Sequence, residues 1–161
     1  MNIKISNIIC QAAGLGIIAG MRTFSATAVI SHVYNRHPSK NLESSGFRLI
    51  QTINTSKVFK VLAAGELIGD KLPNTPNRTS AGGLTGRILS GSLAGATVYK
   101  ANGRQPLMGA LIGGSAAVAS AFGCMFLLKA LGKSTRIPDP YIGALEDIVV
   151  IGAGTELARN L

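Results

Sequence analysis

Residues 107–128 read LMGALIGGSAAVASAFGCMFLL, 22 positions from Leu107 to Leu128 without a charge. As an α-helix this run is about 33 Å long, enough to cross a hydrocarbon core of about 30 Å. The run predicts a transmembrane helix, and with it an integral membrane protein.

The rest of the chain has the same character in interrupted form. Ile5 to Met21 is uncharged, Arg22 intervenes, and Thr23 to Asn35 is uncharged again. Val58 to Leu72 is apolar but contains Glu66, Asp70 and Lys71; Leu84 to Tyr99 contains Arg87; Tyr141 to Leu157 contains Glu146, Asp147 and Glu156. Breakers stand between these segments: the polar, basic stretch from His37 to Ser56, Pro73-Asn74-Thr75-Pro76, Asn102-Gly103-Arg104-Gln105-Pro106, and Pro138-Asp139-Pro140. The reading is an all-α, multi-pass transmembrane helical bundle of four to six segments, one membrane domain over residues 1–161.

Composition agrees. Only 14% of the 161 residues are charged, against about a quarter in ordinary soluble domains. The 20 glycines would weaken soluble helices but let membrane helices approach closely. Gly16/Gly20, Gly65/Gly69, Gly82/Gly86, Gly91/Gly95 and Gly109/Gly113 each recur at a spacing of four, one helix face per pair. Such faces also invite association between copies, so a homo-oligomer is expected.

The net charge of +9 does not point to nucleic acid: the cations stand between apolar runs, and no aromatic ladder is interleaved for base stacking. They suit the anionic lipid surface instead. On a five-crossing count, Arg36, Lys40, Arg48, Lys57, Lys60, Lys100, Arg104 and Arg159 share one side. Lys4, Lys71, Arg78, Lys129, Lys133 and Arg136 take the other. Lys4 is too thin a positive region for a cleaved leader, so the start reads as a retained membrane segment. Cys10 and Cys124 lie in apolar runs and read as small buried hydrophobes.

The candidate chemistry lies in the charges within apolar segments, costly at a bilayer centre and so expected to face partners or water. Glu66 and Asp70 share a helix face; they are candidate ion- or solute-binding groups, with Arg22 and Arg87 as partners and Glu146 and Asp147 as a second acidic group. The competing reading makes the same residues interhelical ion pairs that hold a bundle together. A helix broken at Gly20-Met21 would free backbone groups near Arg22 to line a cavity, as in discontinuous transporter helices; a helix-ending arginine at the membrane surface is the plainer option. Arg22 and Arg104, and Glu66 and Glu146, each lie about half the chain apart. The spacing suggests an inverted repeat with halves 1–80 and 81–161.

Other motifs carry no chemistry. GLGIIAG has one residue too many for a dinucleotide fingerprint, and His32 and His37 lack an acid or cysteine nearby to complete a metal site. No serine stands in a nucleophile elbow. No enzyme, cofactor or metal is expected.

The segments GMRTFSATA, LAAGELIGDKLPNTPNRT, GRILSGSLAGA and YIGALEDIVVIGAG resemble a family of small bacterial membrane proteins, domain of unknown function 4126. The most specific element is the acidic helix ending in Asp70, Lys71, Leu72 and Pro73. The resemblance covers most of the chain except Asn35 to Ser56, and implies a bacterial inner-membrane location. It supports Glu66, Asp70, Lys71 and Pro73 as characteristic positions and brings no activity with it. The leading functional expectation is a transporter or channel for an ion or small polar solute; the alternative is a structural or accessory membrane protein.

Overall fold

The computed structural model describes residues 5–69, 81–134 and 139–161, and the described residues are helical throughout, with no strand. The long uncharged run falls in a helix of 29 residues, Pro106–Ser134. Within it, Pro106–Leu127 is long and apolar enough to cross a membrane by length and composition.

The helices are α1 (Ile5–Met21), α2 (Thr23–Arg36), α3 (Lys40–Glu43), a 3-10 helix (Gly46–Gln51), α4 (Ile53–Gly69), α5 (Ala81–Ala101), α6 (Pro106–Ser134) and α7 (Asp139–Asn160). The stretch read as a polar connection thus contains two short helices, and α4 begins at Ile53, several residues before its apolar segment does.

Glycine spacing decides which helices meet most closely. On α5, a Cβ at Gly91 would stand 2.7 Å from the carbonyl oxygen of Gly113 on α6, and Gly95 and Gly109 face each other's backbone more closely still. On α1, Gly16 faces the carbonyl of Gly113 and Gly20 that of Ala117, so α1, α5 and α6 touch backbone to backbone. Side chains of any size would hold these axes apart. Gly65 and Gly69, expected to form a fifth such face, have no described neighbour within 4 Å of a modest side chain, and neither has Gly82. Among the described residues, Gly65 marks no close helix approach of this kind.

The contacts also give the directions. Gly16 and Gly20 meet successive turns of α6 in register, so α1 and α6 run parallel, while α5 runs against both. Gln11 Nε2 donates to the Asn160 carbonyl at 2.6 Å, and Gly14 meets Leu157, so α1 runs against α7. Val29 of α2 and Ile18 of α1 both reach Gly154 of α7. The chain therefore reverses between them, and α1 and α2 form a helical hairpin with Arg22 at its tip. The core beneath it includes Leu15, Ile18, Ala19, Ala26 and Ile30.

One end of the bundle is closed by ordinary capping chemistry. Gly103 has φ +70, the left-handed conformation glycine adopts most readily. With Gly103 N–H donating to Lys100 O at 3.0 Å and Arg104 N–H to Tyr99 O at 2.9 Å, the end of α5 is a Schellman motif. Pro106 then starts α6, where its missing N–H costs nothing. Ser39 and Asn41 both donate to the Ala101 carbonyl at 3.0 Å, tying the 37–52 connection to the same end. The eight cations from Arg36 through Arg159 are carried at this end, and so is the start of α1, because the hairpin returns α1 and α2 to one end. The five-crossing count, which set these on opposite sides, does not describe this arrangement.

Candidate functional site

The hairpin tip is one residue wide. Arg22 N–H still donates to Ile18 O at 2.8 Å, closing α1, and Arg22 O accepts from Ser25 N–H at 3.3 Å, opening α2. Between these bonds Arg22 itself is extended, with φ −136 and ψ 116. The break lies at Arg22, after the glycine of Gly20-Met21 and not at it. Gly20 instead lets α1 lie flush on α6 up to its last turn.

A helix start needs an acceptor for its first N–H groups, which also form the positive end of the helix dipole. Arg22, at the capping position of α2, supplies no side-chain cap. Glu66 does so from α4: Oε1 accepts from Thr23 N–H at 2.7 Å and Oε2 from Phe24 N–H at 2.9 Å. Both carboxylate oxygens are thus engaged by backbone donors, a charge-assisted pair of the stronger kind. The guanidinium of Arg22 turns to α7, where Nη2 meets Asp147 Oδ1 at 2.6 Å, while Nη1 stands 3.5 Å from the Glu66 carbonyl oxygen, a weak contact. From α5, the Ser90 hydroxyl donates to the Thr23 carbonyl.

Four helices therefore converge on the tip. Arg22 is only 2% exposed and is the largest fully buried side chain among the described residues. Arg87, one turn before Ser90 on α5, is buried, as are the neighbours Glu146 and Asp147 on α7. The structure thus joins Arg22, Glu66 and Asp147 in direct contact and buries Arg87 and Glu146 on the helices that meet them. Asp70, Lys71 and Pro73 lie outside the described residues. Arg104, set against Arg22 in the suggested repeat, sits in the exposed α5–α6 turn; the two arginines occupy unlike environments.

Sequence reasoning did not identify Ser90 or the N–H groups of Thr23 and Phe24. A serine in a glycine-rich helix has no distinguishing pattern, and backbone donors become visible only once a break is located to the residue. The cysteines also differ from expectation: Cys10 is exposed on α1, and Cys124 is half-buried.

The tip lies near the middle of the longest helix. Gly20 packs on Ala117 and Ala121, a level about 17–23 Å from Pro106 and about 20–26 Å from Ser134 along α6. At that level the outside of the molecule is apolar: Ile148, beside the buried Asp147, is 69% exposed, and Leu89, two residues after Arg87, is 64% exposed. Charges inside and large aliphatics outside invert the usual distribution of a soluble protein.

Neither a curated protein nor a solved structure shows a match to this chain. A family model does, over residues 9–156, which takes in the hairpin tip, α4 with Glu66 and most of α7. The chain belongs to the family described as Domain of unknown function (DUF4126).

Proposed function

We propose that the protein is a multi-pass bacterial inner-membrane protein that moves an ion or a small polar solute through the polar centre at the α1–α2 tip. One observation carries the reading: a helix hairpin reverses inside the bundle, and its first free N–H groups are held by a carboxylate from another helix. In hydrocarbon, interrupted backbone is tolerated where it is buried in protein or lines a cavity. Broken helices with their N-termini directed at an anionic group, close to mid-depth, are the usual construction of secondary-transporter sites.

The chemistry follows from the contacts. Glu66 occupies the place that an anionic group of a solute would take on the α2 N-terminus. If Glu66 gains a proton or binds a cation, its hold on Thr23 and Phe24 weakens, and the two donors become available. Arg22 and Asp147 form a second exchangeable pair beside them. Proton or cation uptake at Glu66 and opening of the tip are thus one event, which is what coupling requires.

A structural reading has its own support in the closed Arg22–Asp147 pair, with side chains 2% and 12% exposed, as expected of glue between α2 and α7. Flux in proteoliposomes separates the two. Proton, cation and anion gradients are imposed across vesicles holding wild type or Glu66→Gln in matched, folded preparations. The transport reading expects flux in wild type, reduced at least tenfold in the variant. Absence of flux under every gradient, with the variant markedly less heat-stable, would establish the structural reading instead.

A further inference from the structure

We infer that the open groove between α2, α4 and α7 is a binding site for one anionic phospholipid, with an acyl chain along its walls and the phosphate at its basic mouth. The groove encloses about 650 Å³, within the roughly 300–1,000 Å³ of small-molecule sites. Its floor and walls are apolar, with Val33, Ala64, Leu67 and Ile151 among them. At one end stand five basic side chains: His32 and Arg36 from α2, His37 just after it, Lys60 from α4 and Arg159 from α7. Lys60 Nζ lies 2.8 Å from His32 Nδ1, and since an ammonium can only donate, the histidine nitrogen accepts. The acid near this mouth is Glu156, 3.7 Å from Arg159, and both are well exposed. The mouth therefore carries an excess of positive charge on three separate helices.

Length selects a lipid over a soluble anion. From Ser25 at the inner end to Arg36 at the mouth, α2 rises about 16 Å, close to one leaflet's share of a hydrocarbon core of about 30 Å. The inner end is formed by Ser25, Leu67 and Val150, each within three residues of Arg22, Glu66 or Asp147. A bound chain would thus run from headgroup level to the polar centre. A soluble phosphate would use the mouth and leave the apolar length idle. The inference rests on the membrane-embedded part of the functional proposal and not on transport.

The test is lipid titration by native mass spectrometry on detergent-purified protein, comparing phosphatidylglycerol with phosphatidylcholine. Each cation near an anionic headgroup contributes roughly a fivefold preference, about a hundredfold for three. The triple variant Arg36→Gln/Lys60→Gln/Arg159→Gln should bring phosphatidylglycerol affinity down to that of phosphatidylcholine, with an unchanged lipid-free melting temperature. Ala64→Trp, filling the groove from an exposed position on α4, should weaken both lipids. Equal affinity for the two lipids, an unaltered preference in the triple variant, or glycerol phosphate alone competing as well as the lipid would each overturn the site. So would disulfide cross-linking of Ala64→Cys to a second copy across the groove. Carbonate extraction of membranes separates this failure from that of the wider reading: protein released by carbonate overturns both, whereas protein that stays in the membrane without lipid preference overturns the groove alone.

Discussion

At the scale of single residues, the fold depends on a buried ionic contact that hydrophobic packing would not select. Arg22 and Asp147 meet at 2.6 Å with little exposure, and a buried pair of this kind recovers in attraction about what it loses in desolvation. Its removal is asymmetric. Asp147→Leu removes the closest printed partner of a buried guanidinium and should lower stability by up to about 3–5 kcal/mol, whereas Arg22→Met/Asp147→Leu should recover much of that loss. Thermal unfolding in detergent checks both variants. A double variant no more stable than the single one would mean that Arg22 is held chiefly by its other surroundings. Ser90 offers a gentler probe: Ser90→Ala removes its hydrogen bond to the Thr23 carbonyl and should cost about 1 kcal/mol in the same assay.

At the scale of elements, close approach and helix ends divide the work. The faces of α1, α5 and α6 are set by glycine, so Gly95→Ala drives a methyl into the Gly109 carbonyl and should cost about 1–3 kcal/mol. Gly65→Ala meets open space among the described residues and should gain up to about 1 kcal/mol from helix propensity. A melting-temperature comparison of the two variants distinguishes a packing glycine from a merely recurrent one. Much of this was legible beforehand. The uncharged run at 107–128, the interruption at Arg22 and the Asn102–Pro106 break placed α1, α2 and the α5–α6 junction closely. By contrast, α4 starts five residues before Val58, α6 runs six past Leu128, and the 37–52 connection holds two short helices that no pattern marked. Arg22, Glu66, Arg87, Glu146 and Asp147 stood out because a charge in an apolar run has few places to go. What the sequence withheld was pairing. Gly65/Gly69 and Gly91/Gly95 have the same spacing, and among the described residues only the second meets the backbone of an opposing helix. Nor could residue spacing show that the Glu66 carboxylate ends on backbone N–H groups, because both donors are exposed by a break whose exact residue no pattern marks. The reversal of α1 on α2 was legible only as an alternative, since broken or re-entrant helices near Arg22 both fit the interruption. A one-residue interruption is compatible with a kink, and only the shared contact of Ile18 and Val29 with Gly154 makes it a hairpin.

At the scale of the whole molecule, the distribution of polarity is the central fact. Arg22, Arg87, Glu146 and Asp147 are buried, while Ile68, Leu111, Phe126, Ile148 and Ile151 are each more than half exposed. In water this arrangement would present apolar surface on most sides of the bundle; in a bilayer the same aliphatics face lipid and the charges face one another. The basic end, with Arg36, Lys60 and Arg104, then lies at an anionic headgroup surface. Whether the bundle sits in a bilayer is therefore decided by the depth of the tip. Nitroxide labels at Ile148 and Phe122, both level with Arg22 on outer surfaces, and at Leu107, near the basic end, can be compared in lipid vesicles by oxygen and nickel-chelate accessibility. The account predicts high oxygen and low nickel accessibility at 148 and 122, with 107 closer to the headgroups. Strong nickel accessibility at 148 and 122 would place the charged centre in an aqueous protein and contradict the account.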